Sequence, residues 1–355
     1  DIHWVIFGRV IQGAGAVSAA VTALTADLTR DSVRTRAMAG IGARIGLSFG
    51  LDLVIGPAVA RIWGLAGVFW LTAILAFCGI LILAFVVPDP VSSRVHRDAE
   101  PVASQLGSVL RDRQLLRLDL GIFSLHVMMT AIFLVVPHAI VDAGVAADDH
   151  WTVYLPVLAG SLALMVPFVI QAEGRGRAKP IFLGGIALLG AVSLGFSLSA
   201  GQLVPLLILL LAFFTAVNLL EALLPSFVSK TCPAGAKGTA MGVYSTSQFL
   251  GAFVGGVLGG AVHQAFGAPA VFLVAALAAL MWLVAAATLT PPERVTSQVL
   301  AQGPNQGGLD VLGIQRQLLA VPGVRDAVVV PEEGVAYLKV DSQELDSARL
   351  TAFSA

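Results

Sequence analysis

The sequence predicts an all-α membrane protein with nine transmembrane helices, followed by a small α+β C-terminal domain. Three observations carry this reading. Charged residues are 12% of the 355 and apolar residues 57%, with a mean hydropathy of +0.87. That is about half the charged share of a soluble domain, roughly 25%, and lipid removes the difficulty of hiding so much apolar surface. Apolar runs of about 20 residues, the length a bilayer-crossing helix needs, recur nine times. The connections between them alternate between basic and non-basic.

The spans fall at 3–26, 37–61, 66–87, 118–141, 151–171, 180–200, 203–228, 239–264 and 268–289. Each is too long and too uniformly apolar for the alternation of a barrel strand. Arg30, Arg34 and Arg36 follow the first span. Arg94, Arg97, Arg111, Arg113 and Arg117 lie in 88–117. Arg175, Arg177 and Lys179 fill 172–179, and Lys230 and Lys237 fill 229–238. The opposite side carries Arg61. The asymmetry puts the four basic connections in the cytoplasm. These breaks divide the chain into a partial bundle at 1–90, a cytoplasmic linker at 91–117, a six-helix bundle at 118–290 and a cytoplasmic domain at 291–355. Residue 1 is Asp and an apolar run starts almost at once, so the start reads as a cut.

After Pro291 and Pro292 the composition turns soluble. "GIQRQLLAVPGV" has helical spacing, "RDAVVV" and "GVAYLKV" read as strands joined through "PEEG", and a short helix starts near Ser347. A weak strand near Ser297–Leu300 would complete βαββα, a ferredoxin-like module that stops before its last strand.

Several functions are disfavoured. Cys78 and Cys232 lie in unrelated settings and suggest neither a disulfide nor a zinc site. The tail has no cysteine and no histidine follows His263, which excludes a thiolate metal site there. No phosphate-binding G-x-x-x-x-G-K-[ST] loop and no basic, aromatic-interleaved stretch occurs, so neither ATP nor nucleic acid is expected. No cofactor or metal is implied.

Polar residues inside the spans are the candidates for function, because hydrocarbon tolerates them only at a cost. Arg9, Gln12 and Gly13 share one helix face. Either that face lines a polar interior, or Arg9 snorkels to the surface. Asp52 is either a protonatable group or a tolerated substitution facing Arg44. Glu221, beside Asn218 and before Pro225, is either a functional acid or the anchor of a helix end. His126 either titrates near neutral pH or is a structural histidine with a satisfied hydrogen bond. Gly251, Gly255 and Gly259, with Gly256 and Gly260, form a close-packing face.

Several stretches are specific enough to carry a family resemblance. "GRVIQGAGA" (8–16) resembles the helix-four signature R-x-x-Q-G-x-G-A of the major facilitator superfamily. "ADLTRDSVRTRAMAGIG" resembles the loop into helix five, and "IGP" (55–57) the Gly-Pro of the antiporter motif. "AEGRGRAKP" is similar to the basic loop between helices eight and nine. "NLLEALLPSFVSK" and "KGTAMGVYSTSQFLGAFVGG" are similar to helices ten and eleven of the YajR-type bacterial transporters, which also carry a ferredoxin-like C-terminal domain. The resemblance implies a twelve-helix fold of which this chain holds helices four to twelve. It implies that Asp27 pairs with an arginine of the loop between helices two and three. That loop's aspartate would meet the start of helix eleven near Gly238. Gly56 and Pro57 would belong to the antiporter motif, although Asp52, Ala60 and Arg61 depart from it.

The resemblance also implies a secondary transporter in the bacterial inner membrane. Its expected activity is proton-coupled efflux of small hydrophobic or drug-like molecules by alternating access. Arg9, Gln12, Asp52, His126, Asn218 and Glu221 would line the substrate or proton pathway, and Gly13, Asp27, Gly56, Pro57 and Gly238 would serve the moving parts. Its partners are the lipid bilayer, a small-molecule substrate and protons, with a ligand or protein for the C-terminal domain. The rival expectation is a transport-inactive sensor or scaffold that signals through that domain.

Overall fold

The computed structural model describes residues 2–14, 21, 24–25, 28, 31–88, 102–174, 177–199, 201–290, 295–301, 311–331, 334–341, 344–351 and 353. Over 31–54 it gives helical backbone, with side chains at Ser48, Leu51 and Asp52. Asp27, the "PEEG" turn acids Glu332 and Glu333, and most of the linker 91–117 before Val102 lie outside the described residues.

Helix α1 spans Ile2–Ala14 and α2 spans Asp31–Phe85. Gly64, at φ 66° and ψ −173°, breaks α2 into two arms, in the gap the hydropathy predicts between 61 and 66. A side chain at positive φ would be strained there, so glycine is the residue that permits the break. The short α3, Ala103–Val109, belongs to the linker. Six long helices follow: α4 Arg113–Asp142, α5 Trp151–Gly174, α6 Ala178–Leu198, α7 Leu203–Thr231, α8 Lys237–Phe266 and α9 Ala268–Ala287. Asp112 caps α4, its carboxylate accepting from the backbone of Gln114 at 2.7 Å and Leu115 at 3.2 Å. A 3₁₀ turn, Ala147–Asp149, joins α4 to α5.

Among the described residues seven helices are long and apolar enough to cross a membrane. They are Ile55–Phe85 and the six from α4 to α9. The expected span at 3–26 falls partly on α1 and partly on residues outside the description, and that at 37–61 falls largely on backbone alone.

Helix α4 sits at the centre, packing on α7, α8 and α9, while α5 packs on α7 and α6 on both α7 and α9. Leu118, Ile122, Leu125, Met128 and Ile132 of α4 are fully buried. Aromatic rings fill the layers: Phe133 stacks on Tyr154, and Phe182 meets both Phe227 and Trp282. The outer faces stay apolar, with Phe249, Phe253 and Phe266 exposed on α8. Such a surface suits lipid and not water.

The tail forms a three-stranded antiparallel sheet of order β1-β3-β2, with β1 Thr296–Ala301, β2 Val324–Val330 and β3 Val335–Val340. Helix α10, Val311–Leu319, crosses from β1 to β2, and α11, Ser347–Thr351, closes it. The β2–β3 hairpin places β3 between the two others, a split β-α-β arrangement. Strand alternation gives the sheet two occupied faces. Ala336, Leu338 and Val340 join the core that includes Leu318 and Leu350. Val335, Tyr337 and Lys339 point the other way, onto the turn between α7 and α8.

Candidate functional site

The polar side chains of the six-helix bundle are set by helical spacing. On α4, Asp119 and His126 stand seven residues apart, two turns along one face. On α7, Asn218 and Glu221 stand three apart. On α8, Tyr244 and Gln248 stand four apart, and the same face continues into Gly251, Gly255 and Gly259.

The glycine face does what its spacing predicts. A Cβ at Gly251 would lie 2.4 Å from the carbonyl oxygen of Phe123, one at Gly255 2.4 Å from that of Val127, and one at Gly259 2.8 Å from Ala131 Cα. Backbone meets backbone along three turns, and the register rises together on both helices, so α4 and α8 run parallel. Gly121 serves the neighbouring packing, since a Cβ there would stand 3.0 Å from Trp282 Nε1.

Beside the lower contacts of that seam three helices converge. His126 Nε2 lies 3.3 Å from Glu221 Oε1 and 3.0 Å from Gln248 Nε2. Its other ring nitrogen, Nδ1, lies 3.2 Å from the Ile122 carbonyl oxygen. The His126 side chain is 9% exposed and that of Glu221 32%, so the acid keeps an open side. One turn earlier on α7, Asn218 Nδ2 donates to Ser161 Oγ at 2.9 Å, which ties α7 to α5. The carboxylate Oδ2 of Asp119 and the hydroxyl of Tyr244 are buried and have no hydrogen-bond partner among the described residues.

The structure therefore joins two of the expected residues, His126 and Glu221, and sets Asn218 beside them. Glu221 lies well inside α7 rather than at its end. Arg9 is exposed, held by Gln12 Oε1 at 2.9 Å and lying 5.9 Å from the centre of the Phe69 ring. Asp52 is exposed, and its Oδ1 stands 3.7 Å from the place a Cβ on Gly56 would take. Among the described residues no contact joins Arg9, Gln12 or Asp52 to the cluster around Glu221. Gly13 is exposed on α1, and Gly56 and Pro57 are half-buried in α2. Gly238 is buried at the start of α8, where the linker covers the helix end. There Thr239 Oγ1 accepts the Val102 N–H at 2.8 Å and lies 3.3 Å from Gln105 Oε1.

Sequence reasoning passes over Gln248, Ser161, Asp119 and Tyr244. One signal for Gln248 is present: it precedes Gly251 by three residues and so shares the close-packing face. No group of three His, Cys, Asp or Glu residues able to hold a metal occurs among the described residues.

Membrane-length helices with an acid, a histidine and amides at their mutual contacts define a polytopic membrane protein. Residues 1–256 and 150–331 match the Major Facilitator Superfamily, and the chain belongs to it. It is 40% identical over 344 residues, 97% of its length, to the inner membrane transport protein YajR of Escherichia coli K12, spanning 75% of that protein. An uncharacterised transporter of Buchnera aphidicola from Acyrthosiphon pisum is 30% identical over 257 residues, 72% of this chain and 66% of the relative. The multidrug resistance protein MdtH of Aeromonas hydrophila is 27% identical over 190 residues, 53% of this chain and 46% of the relative. The chain is a membrane transport protein and not an enzyme.

Proposed function

We propose that the protein is a proton-coupled secondary transporter that exports small hydrophobic or drug-like molecules by alternating access. The observation that carries this reading is the pairing of His126 with Glu221 at 3.3 Å between α4 and α7. A carboxylate and an imidazole inside a bilayer form a default proton-handling pair, because each has a neutral state the membrane tolerates. Glu221 keeps a partly open side from which protons and substrate reach it. Asn218, Arg9, Gln12 and Asp52 line the same pathway in this reading, with Arg9 orienting polar or anionic groups. The likeness to a multidrug resistance protein supports drug-like molecules as the substrate class.

The rest of the expected architecture belongs to the same proposal. Residues 1–90 supply helices four to six, 91–117 a cytoplasmic linker, 118–290 the C-terminal bundle and 291–355 a ferredoxin-like cytoplasmic domain, in a bacterial inner membrane. Gly13, Asp27, Gly56, Pro57 and Gly238 serve the moving contacts between the two bundles.

The test is transport by the full-length protein in liposomes with an imposed proton gradient. Glu221→Gln is expected to stop uphill flux while downhill exchange survives, and Asp52→Asn is the parallel arm. If both variants pump against a gradient as the parent does, neither carboxylate couples protons. A second reading, a sensor that signals through its tail, draws on the docking of the tail sheet against the α7–α8 turn. Partner binding retained without any flux by the unaltered protein would favour it.

A further inference from the structure

Resting on that reading, we propose that Gln248 is a positioning residue that competes with Glu221 for a single nitrogen of His126. Protonation of the ring thereby transfers its bond from α8 to α7.

Donors and acceptors around the ring decide which bond forms. The Ile122 carbonyl oxygen, 3.2 Å from Nδ1, only accepts. Nδ1 therefore carries a hydrogen in both states of the ring. In the neutral ring that leaves Nε2 as an acceptor. It then takes the amide N–H of Gln248, 3.0 Å away, and has nothing to offer the Glu221 carboxylate, 3.3 Å away. When a proton arrives on Nε2 from the open side of Glu221, the demands reverse. The new N–H donates to the carboxylate, as a charge-assisted hydrogen bond between opposite charges. The Gln248 NH₂ then faces a donor, and the bond it gave to this nitrogen is lost. Departure of the proton to water restores the first arrangement. One nitrogen cannot serve both neighbours, so the two bonds exclude each other.

The place of this exchange gives it consequence. The His126–Gln248 bond crosses from α4 to α8 at the lower end of the glycine seam, with His126 between Phe123 and Val127 on α4 and Gln248 one turn before Gly251 on α8. That seam carries no side chain on the α8 side to interlock it. Releasing Gln248 removes a polar tie from a smooth contact while Glu221 draws His126 toward α7. Other ionisable groups near α4 include Tyr154 of α5, which stacks on Phe133. Asp119 lies two turns below on α4 itself, and Tyr244 comes from α8, four residues before Gln248. Helix α9 presents none. Asp148 and Asp149 of the 3₁₀ turn, and His138 with His263 at 6.4 Å between rings, belong to the opposite end.

The experiment is solid-state NMR of the full protein with ¹⁵N-labelled histidine in bilayers, the His126 signals being those lost in His126→Gln. At alkaline pH the ring is expected with hydrogen on Nδ1 and an accepting Nε2, and Gln248→Leu is expected to move the Nε2 resonance to that of an unbonded nitrogen. At acid pH the two proteins are expected to show the same protonated ring. Proton-driven transport by Gln248→Leu is expected to persist with its pH profile displaced to the alkaline side by on the order of one unit. The neutral ring has lost a bond that the protonated ring never had. Hydrogen on Nε2 in the neutral ring, or an Nε2 resonance unmoved by Gln248→Leu, overturns the competition. Absence of proton-driven flux in the unaltered protein overturns the transport reading instead, and leaves the NMR result standing by itself.

Discussion

Lys339 Nζ, on the central strand of the tail, donates to the backbone carbonyl oxygen of Lys230 at 2.7 Å. It reaches the Ser229 carbonyl at 3.0 Å as well. Both carbonyls belong to the last turn of α7, where the helix dipole favours a cation. The amine of a soluble domain thus caps the helix that carries Glu221. Beside it, Asp326 Oδ2 accepts the Ala234 N–H at 2.8 Å, and Tyr337 packs against Ala234 and Gly235.

Burial holds Lys339 below its ordinary value of 10.5, against the pull of Cys232 and Asp326. The docked tail therefore binds this proton less readily than the free tail. Docking is expected to tighten as pH rises from the lowered value toward 10.5, and to be insensitive to this group below that window. A neutral amine still has two hydrogens for the two carbonyls. Spin-label distances between α10 and the membrane bundle check this. The docked fraction should climb with pH in the parent and stay level in Lys339→Met.

Removing the Asp326 carboxylate strands the Ala234 N–H at the contact. Asp326→Ala is expected to weaken docking by about 1–2 kcal/mol. Hydrogen exchange at Ala234 and Gly235 should quicken several-fold while the amides of β3 beside β1 keep their protection. Equal exchange in parent and variant would show that the contact is not closed in solution.

Gly255 and Gly256 are adjacent and should respond oppositely. A Cβ on Gly255 meets the Val127 backbone, with the carbonyl oxygen at 2.4 Å and Cα at 2.7 Å; on Gly256 the nearest atom is Thr130 Cγ2 at 3.7 Å. Backbone cannot step aside as a side-chain end can. Gly255→Ala is expected to cost about 1–3 kcal/mol through overpacking and to lower the melting temperature in detergent. Gly256→Ala should raise that temperature slightly, since alanine at an uncrowded position inside a helix is favoured over glycine by about 0.5–1 kcal/mol.

Orientation rests on the basic loops. In a background lacking Cys78 and Cys232, a cysteine at Ala147 is expected to react with an impermeant thiol reagent added to intact cells. One at Arg177 is expected to react only after the membrane is opened. Reaction at Arg177 in intact cells would reverse the assignment.

The elements of this protein are legible in local sequence. The six spans from 118 to 289 agree with α4 to α9 to within about five residues, and the break before residue 66 falls at Gly64. The tail strands and helices appear in the expected order. These features can be read because each is local: a run must be apolar to enter lipid, and its backbone must satisfy its own hydrogen bonds. The close-packing glycines are legible for the same reason, since their spacing alone puts them on one face. The pairings needed the packed bundle. Glu221 and His126 stand out in the sequence as polar groups in apolar helices, but nothing local joins residues 95 positions apart. Their meeting depends on the depth and rotation at which α4 and α7 pack. Gln248 joins them because the glycine seam fixes the register of α8 on α4. Lys339 reads as one more exposed strand lysine until the sheet's second face is seen to rest on α7. Burial and partnership arise from packing, where a few ångströms of helix position decide which polar groups meet.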